Sequence, residues 1–129
     1  MNKKILVTGA IFGITGVILG AFAAHGLQKI VDAEAIKSFE TGVRYQIYHA
    51  ILLLILGGTS FVTYKRKKVM FYLIVIGLIF FSGSIYGLAT NDLSSFDFKA
   101  IAMMTPAGGF LLILAWMVML IDILKSKVD

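Results

Sequence analysis

Ile5 to Ala24 is a run of twenty residues without a charge, and about 20 apolar residues is what an α-helix needs to cross a bilayer core roughly 30 Å thick. Three more stretches satisfy the same rule, so a chain of 129 residues is largely consumed by crossings, leaving only short ends and connections. Lipid offers backbone amides no hydrogen-bond partner, so each crossing must be helical. The expected fold is therefore all-α: a polytopic membrane protein with four transmembrane helices in an antiparallel bundle. Residues 1–129 form a single membrane domain, with spans at about 5–25, 43–64, 69–90 and 106–124. Composition agrees, since 59% of residues are hydrophobic before glycine is counted, against roughly 45–50% with glycine in soluble domains. The single Pro and the lack of Cys exclude a Pro-rich disordered chain, a disulfide scaffold, a thiol nucleophile and a Cys-bound metal.

Local signals refine the boundaries. Gly26 offers the first helix a C-terminal cap. Asp32 is the expected N-cap of the second helix, where Ile36, Phe39, Val43 and Ile47 fall at helical spacing among Glu34, Lys37, Glu40 and Arg44. If it runs from Ala33 to Tyr64 it has 32 residues and is roughly 48 Å long, an extended, partly amphipathic helix whose first turns project from the bilayer core. Lys65-Arg66-Lys67-Lys68 then forms a tight hairpin into the third span, and Asn91-Asp92 the turn after it. Thr105 and Pro106 read as N-cap and first residue of the fourth helix. Ser94 and Asp97 have capping-box spacing, which makes Ser95 to Met104 a short separate helix; a Pro-kinked continuous helix is the alternative.

Orientation follows from the cations. Lys3, Lys4, the Lys65–Lys68 run, Lys125 and Lys127 are eight of the twelve basic residues and fall on one side. The positive-inside rule puts that side, with both termini, in the cytoplasm, as expected for a multi-pass protein of the cell (inner) membrane. Lys29, Lys37, Arg44 and Lys99 lie opposite, among Asp32, Glu34, Glu40, Asp92 and Asp97. The net charge of +5 is thus topological. No nucleic-acid partner is expected, because the basic cluster has no folded domain around it.

Thr8-Gly9 with Gly13 and Gly16 imitates a dinucleotide-binding turn, but that fold requires a polar helix and an acidic residue about 20 positions on. Here the following residues are membrane-apolar. Gly9, Gly13, Gly16 and Gly20 instead share one helix face, the mark of a close-packing seam. Lys3-Lys4, an apolar stretch and Ala21-Phe22-Ala23 also fit a signal peptide, the competing reading of the first span.

Polar residues crowd the outer half of the expected bundle: His25, Glu40, Arg44, Tyr45, Gln46, Tyr48, His49, Ser82, Ser84, Tyr86 and Thr105. An unpaired polar group in hydrocarbon costs several kcal/mol, so these side chains should face one another. Glu40 and Arg44 can pair at i, i+4, and Tyr45 and His49 share a helical row. The cytoplasmic half reads as almost purely apolar. The cluster is either a pocket open toward the outer leaflet or a hydrogen-bond network that fixes packing. Two His and no Cys leave a metal site without a third ligand, so no metal, no cofactor and no catalytic residue is expected. Trp116 and the six Met serve as packing.

Four ordered blocks carry a family likeness: Gly20-Ala21-Phe22-Ala23-Ala24-His25-Gly26-Leu27, then Phe39 through Ala50, then Phe81-Ser82-Gly83-Ser84-Ile85-Tyr86, then Thr105-Pro106-Ala107-Gly108-Gly109 with Trp116. The chain resembles the YgdD-like (YwdK-like) family of small four-helix bacterial membrane proteins. The resemblance implies an inner-membrane protein whose first helix is retained, and it supplies no activity or ligand. The leading reading is a non-enzymatic structural or interaction module. Its partners are the lipid bilayer and, as candidates, a second copy or another membrane protein. The alternative is a carrier or binding protein for a small amphiphile or lipid.

Overall fold

A computed structural model describes residues 2–93 and 97–126, Phe98 by its backbone alone. The α-helices are α1 Asn2–His25, α2 Ala33–Gly58, α3 Tyr64–Leu78, α4 Ser84–Ala89 and α5 Met104–Lys125, and the described residues contain no strand. A π-helical turn, Ile79–Gly83, joins α3 to α4, so that Tyr64–Ala89 is one rod. α1 lies along α2, α5 lies along α3, and α2 joins the two pairs through α3 and α4. Three rods, Asn2–Lys29, Tyr64–Ala89 and Lys99–Lys125, are long and apolar enough to cross a membrane; α2 is not among them. Ile14, Val17 and Ile18 on α1 are 61–67% exposed, an apolar face suited to hydrocarbon rather than water.

Asp32 caps α2 as expected, accepting the Ala35 amide at 2.8 Å. The helix nevertheless stops at Gly58 instead of reaching residue 64. Glycines disfavour a helix by about 1 kcal/mol each relative to Ala, and the Gly57-Gly58 pair comes before Thr59, whose backbone is extended. Thr63 then caps α3, its hydroxyl accepting the Arg66 amide. The turn is therefore 59–63, and Lys65–Lys68 is the opening of α3 rather than a hairpin loop. Cations at that position oppose the helix dipole, so tertiary surroundings must favour them.

Two other boundaries differ from expectation. Gly26 has φ of −96° and no described residue has a positive φ, so the left-handed cap is absent; the chain leaves α1 through the 3-10 turn Leu27–Lys29. α5 starts at Met104 with Met103 as N-cap, which puts Thr105 inside the first turn. Pro106 is tolerated there because first-turn amides have no intrahelical acceptor to satisfy. Ahead of it is only a 3-10 turn, Phe98–Ile101, capped by Asp97 through the Lys99 amide at 3.0 Å. The Ser94 cap, Ser95 and Lys127 lie outside the described residues.

The four glycines of α1 differ in what they meet. A Cβ at Gly9 would stand 3.0 Å from the Ala50 carbonyl oxygen and one at Gly16 2.5 Å from Ile47 Cδ1, but at Gly13 it would meet nothing within 4 Å. Gly13 meets open space, and only Gly9, Gly16 and, more loosely, Gly20 make contact with α2. The tightest approach is elsewhere, between α3 and α5, where a Cβ at Gly108 would overlap the Phe81 amide nitrogen and lie 2.7 Å from the Gly77 carbonyl oxygen.

The core has two apolar clusters. The larger includes Ile5, Leu53, Leu56, Met70, Ile74 and Leu112; the smaller comprises Ala23, Leu27, Phe39 and Ala89. Along α2 they are separated by Gln46 and His49, which begin the polar layer.

Candidate functional site

Gln46 is 7% exposed, and its carboxamide is the centre of that layer. Nε2 donates to the Phe12 carbonyl at 3.0 Å and to Thr15 Oγ1 at 2.7 Å. Oε1 accepts the Tyr86 hydroxyl at 2.6 Å. A carbonyl oxygen can only accept, so the Phe12 contact fixes which end of the amide faces α1. One side chain of α2 thus ties α1 to α4. One glycine makes the reach available, since a Cβ at Gly42 would lie 2.7 Å from the Tyr86 ring. Gly42 also presents its carbonyl to Ser82 Oγ at 2.8 Å.

His49, buried one turn further along α2, joins α2 to α5. Its Nδ1 lies 2.7 Å from the Tyr45 carbonyl, and Trp116 Nε1 donates to its Nε2 at 3.1 Å. Indole N–H only donates and a backbone carbonyl only accepts, so both contacts are met by the neutral imidazole with its proton on Nδ1. The third station is the pair of hydroxyls Ser84 and Thr105. Ser84 gives its proton to the Phe81 carbonyl at 3.0 Å, leaving Thr105 to donate to Ser84 and link α4 with α5. Ser82 and Ser84 are two residues apart and cannot share a helix face, which is why they serve α2 and α5 respectively.

Of the expected cluster, Gln46, His49, Ser82, Ser84, Tyr86 and Thr105 are brought into the layer. Tyr45 contributes its carbonyl, while its ring packs on Phe81 at 4.9 Å between centroids. His25, Glu40, Arg44 and Tyr48 are exposed and stay outside it. Among the described residues no ion pair joins Glu40 to Arg44; Arg44 donates to Thr41 Oγ1 at 3.0 Å instead. Both side chains emerge beyond the apolar part of α2, where an exposed pair is worth little. Open clefts adjoin the layer, one of about 190 Å³ beside Phe12, Gln46 and Tyr86, another of about 280 Å³ beside His49 and Trp116. Among the described residues no three His, Cys, Asp or Glu gather as a metal site.

The opposite end is not purely apolar. Asp122, 7% exposed, accepts the Thr63 amide at 2.8 Å and lies 3.9 Å from Arg66 Nε. Lys67, 5% exposed, donates to the Thr59 carbonyl and to Asn2 Oδ1 at 3.2 Å. Together they bind the 59–63 turn to α1 and α5. The one hint in the sequence was an acid in the last turns of an apolar helix, where it opposes the dipole. Asp122→Ala should lower unfolding stability in a fixed detergent by about 2 kcal/mol, since the Thr63 amide and Arg66 lose a charged acceptor. Asp122→Asn, which keeps an acceptor, should lose less, and equal losses in the two variants would show that Thr63 does not depend on this side chain.

Residues 19–109 match the family described as Protein of unknown function (DUF423). The chain belongs to that family. A "UPF0382 membrane protein" of Haemophilus influenzae is 35% identical over 98% of both chains. A Staphylococcus aureus protein of the same description is 36% identical over 95% of this chain and 97% of its own. The "UPF0382 inner membrane protein YgdD" of Escherichia coli is 33% identical over 98% and 93%. No solved structure matches. The DUF423 match and these relatives agree with the YgdD-like resemblance, and with three apolar rods the chain is an integral membrane protein in contact with the lipid bilayer.

Proposed function

We propose that this DUF423 protein is a non-enzymatic structural or interaction module of the cell (inner) membrane, with α2 as a fourth crossing. One observation supports the non-enzymatic reading above all: the polar layer closes on itself. Among the described residues no buried side-chain nitrogen or oxygen lacks a hydrogen-bond partner. Both nitrogens of His49 are engaged, Ser82 is held by a backbone carbonyl, and Ser84 by Phe81 and Thr105. A general base and nucleophile would need a mutual contact and a free site for substrate. Native mass spectrometry of the purified protein tests the reading. No stoichiometric adduct that depends on Gln46 is expected; a small amphiphile retained by the wild type and lost in Gln46→Leu would replace the module with a carrier.

Both termini and Lys65–Lys68 are proposed to be cytoplasmic. The placement is supported by Lys67 bonding Asn2 and by Arg66 beside Asp122, contacts that gather the basic residues at one end of the bundle, where the positive-inside rule applies. The chain has no Cys, so Ser126→Cys introduces a single label site. It should resist an impermeant thiol reagent in intact cells and react after permeabilisation. Labelling from outside would invert the topology.

A further inference from the structure

At the basic end, an exposed face of α3 changes along its length from cationic to apolar. Lys65 and Lys68 are exposed in the opening turns, and neither has an acidic partner within 4.0 Å among the described residues, since Arg66 takes the nearby Asp122. At spacings of three and four the same face continues as Val69, Tyr72 and Ile76. These three, with Leu73 and Leu111 of α5, line a groove of about 410 Å³ whose walls are apolar. Lys4 of α1 holds its ammonium 5.7 Å from the centre of the Tyr72 ring and 5.5 Å from that of Phe71, so a third cation stands beside a residue that lines the groove.

We propose that this groove is a binding site for one anionic diacyl phospholipid. The phosphate is held by Lys65 and Lys68 with Lys4 alongside, and an acyl chain lies against Val69, Tyr72, Leu73, Ile76 and Leu111. Charge complementarity selects this occupant. The described residues of this end carry Lys3, Lys4, Lys65, Arg66, Lys67, Lys68 and Lys125 against the single acid Asp122, and the first turn of α3 adds the positive end of a helix dipole. Basic residues above an apolar groove between membrane helices match an anionic headgroup and its tail in the order in which a lipid presents them. A zwitterionic lipid fits the groove equally well but leaves the cations without net neutralisation. The site lies at the end opposite the Gln46 layer and is independent of the function proposed for that layer.

The test is native mass spectrometry of the full chain in a mild detergent. It is titrated with dioleoylphosphatidylglycerol or with dioleoylphosphatidylcholine, which has the same tails and no net charge. A single phosphatidylglycerol adduct retained about tenfold better than phosphatidylcholine is expected. The Lys65→Gln/Lys68→Gln variant, changed only at exposed positions, should lose that preference, whereas Lys125→Gln, a cation of α5 at the same end rather than of this α3 face, should keep it. Leu73→Trp, which fills the groove, should reduce retention of both lipids. Equal binding of the two lipids, or equal losses for Lys125→Gln and the Lys65/Lys68 variant, would overturn the site in favour of unspecific surface charge. Binding is read in detergent, so the outcome does not depend on which leaflet this end faces.

Discussion

Gly108→Ala should lower the stability of the bundle in a fixed detergent by about 3 kcal/mol, the upper end of the usual range for overpacking. The same change at Gly13 should leave it almost unaltered. A methyl group at Gly108 would meet backbone on every side: the Phe81 amide nitrogen, the Gly77 carbonyl oxygen at 2.7 Å and the Phe80 carbonyl carbon at 2.8 Å. No rotamer change relieves such a contact, so α5 must move off the π turn. That turn also carries Ser82 and leads into Ser84, and displacing it would disturb the bonds from α4 to α2 and α5. Gly16→Ala is the intermediate case, because its neighbour is the far end of the Ile47 side chain, which can rotate. Thermal or chemical unfolding of the three variants gives the order directly. If Gly108→Ala unfolds with Gly13→Ala, the backbone approach between α3 and α5 is not the tight point of the fold.

Gln46→Leu should have an effect of similar size, about 3 kcal/mol. It removes three interhelical bonds, each worth roughly 0.6 kcal/mol on average and up to about 1.7 in a membrane, and it leaves the Tyr86 hydroxyl with Ser82 as its remaining side-chain partner. Tyr86→Phe alone should lose about 1 kcal/mol, since Gln46 keeps its two contacts to α1. The double variant should then be less damaged than the sum, because the bond from Tyr86 to Gln46 is lost in each single variant and can be lost only once. A double-mutant cycle on unfolding free energy measures this coupling. Additive losses would mean that the Tyr86 to Gln46 bond contributes nothing to holding α4 against α2.

Much of the architecture was legible because it follows from what lipid excludes. Uncharged runs near twenty residues demand helices, and three of those runs lie along the three apolar rods, α2 being the exception. There the apolar run Ile47 to Val62 continued through Gly57-Gly58, and hydropathy alone cannot register a stop made by backbone entropy and the Thr63 cap. The Asp32 cap was readable because side chain and amide are three residues apart. Polar residues in apolar surroundings likewise marked where a hydrogen-bonded layer would form, for the same energetic reason.

Which of them meet was decided only in three dimensions. Gln46 to Thr15, Tyr86 to Gln46 and Trp116 to His49 join residues 31, 40 and 67 positions apart; each depends on helix rotation and on glycines that let neighbouring backbones close. Gly16 closes on α2 where Gly13, three residues away, meets open space, and Glu40 and Arg44 stay outside the layer despite their matched charges and spacing. Asp122 and Lys67, themselves buried, acquire their partners because the 59–63 turn folds across the ends of α1 and α5. The sequence by itself determined that helices would cross a membrane and that their polar groups must be satisfied, because both follow from the solvent. Tertiary structure decided the partners, because hydrogen bonds across a bundle depend on rotation and separation to within an ångström, quantities that no residue spacing within one helix encodes.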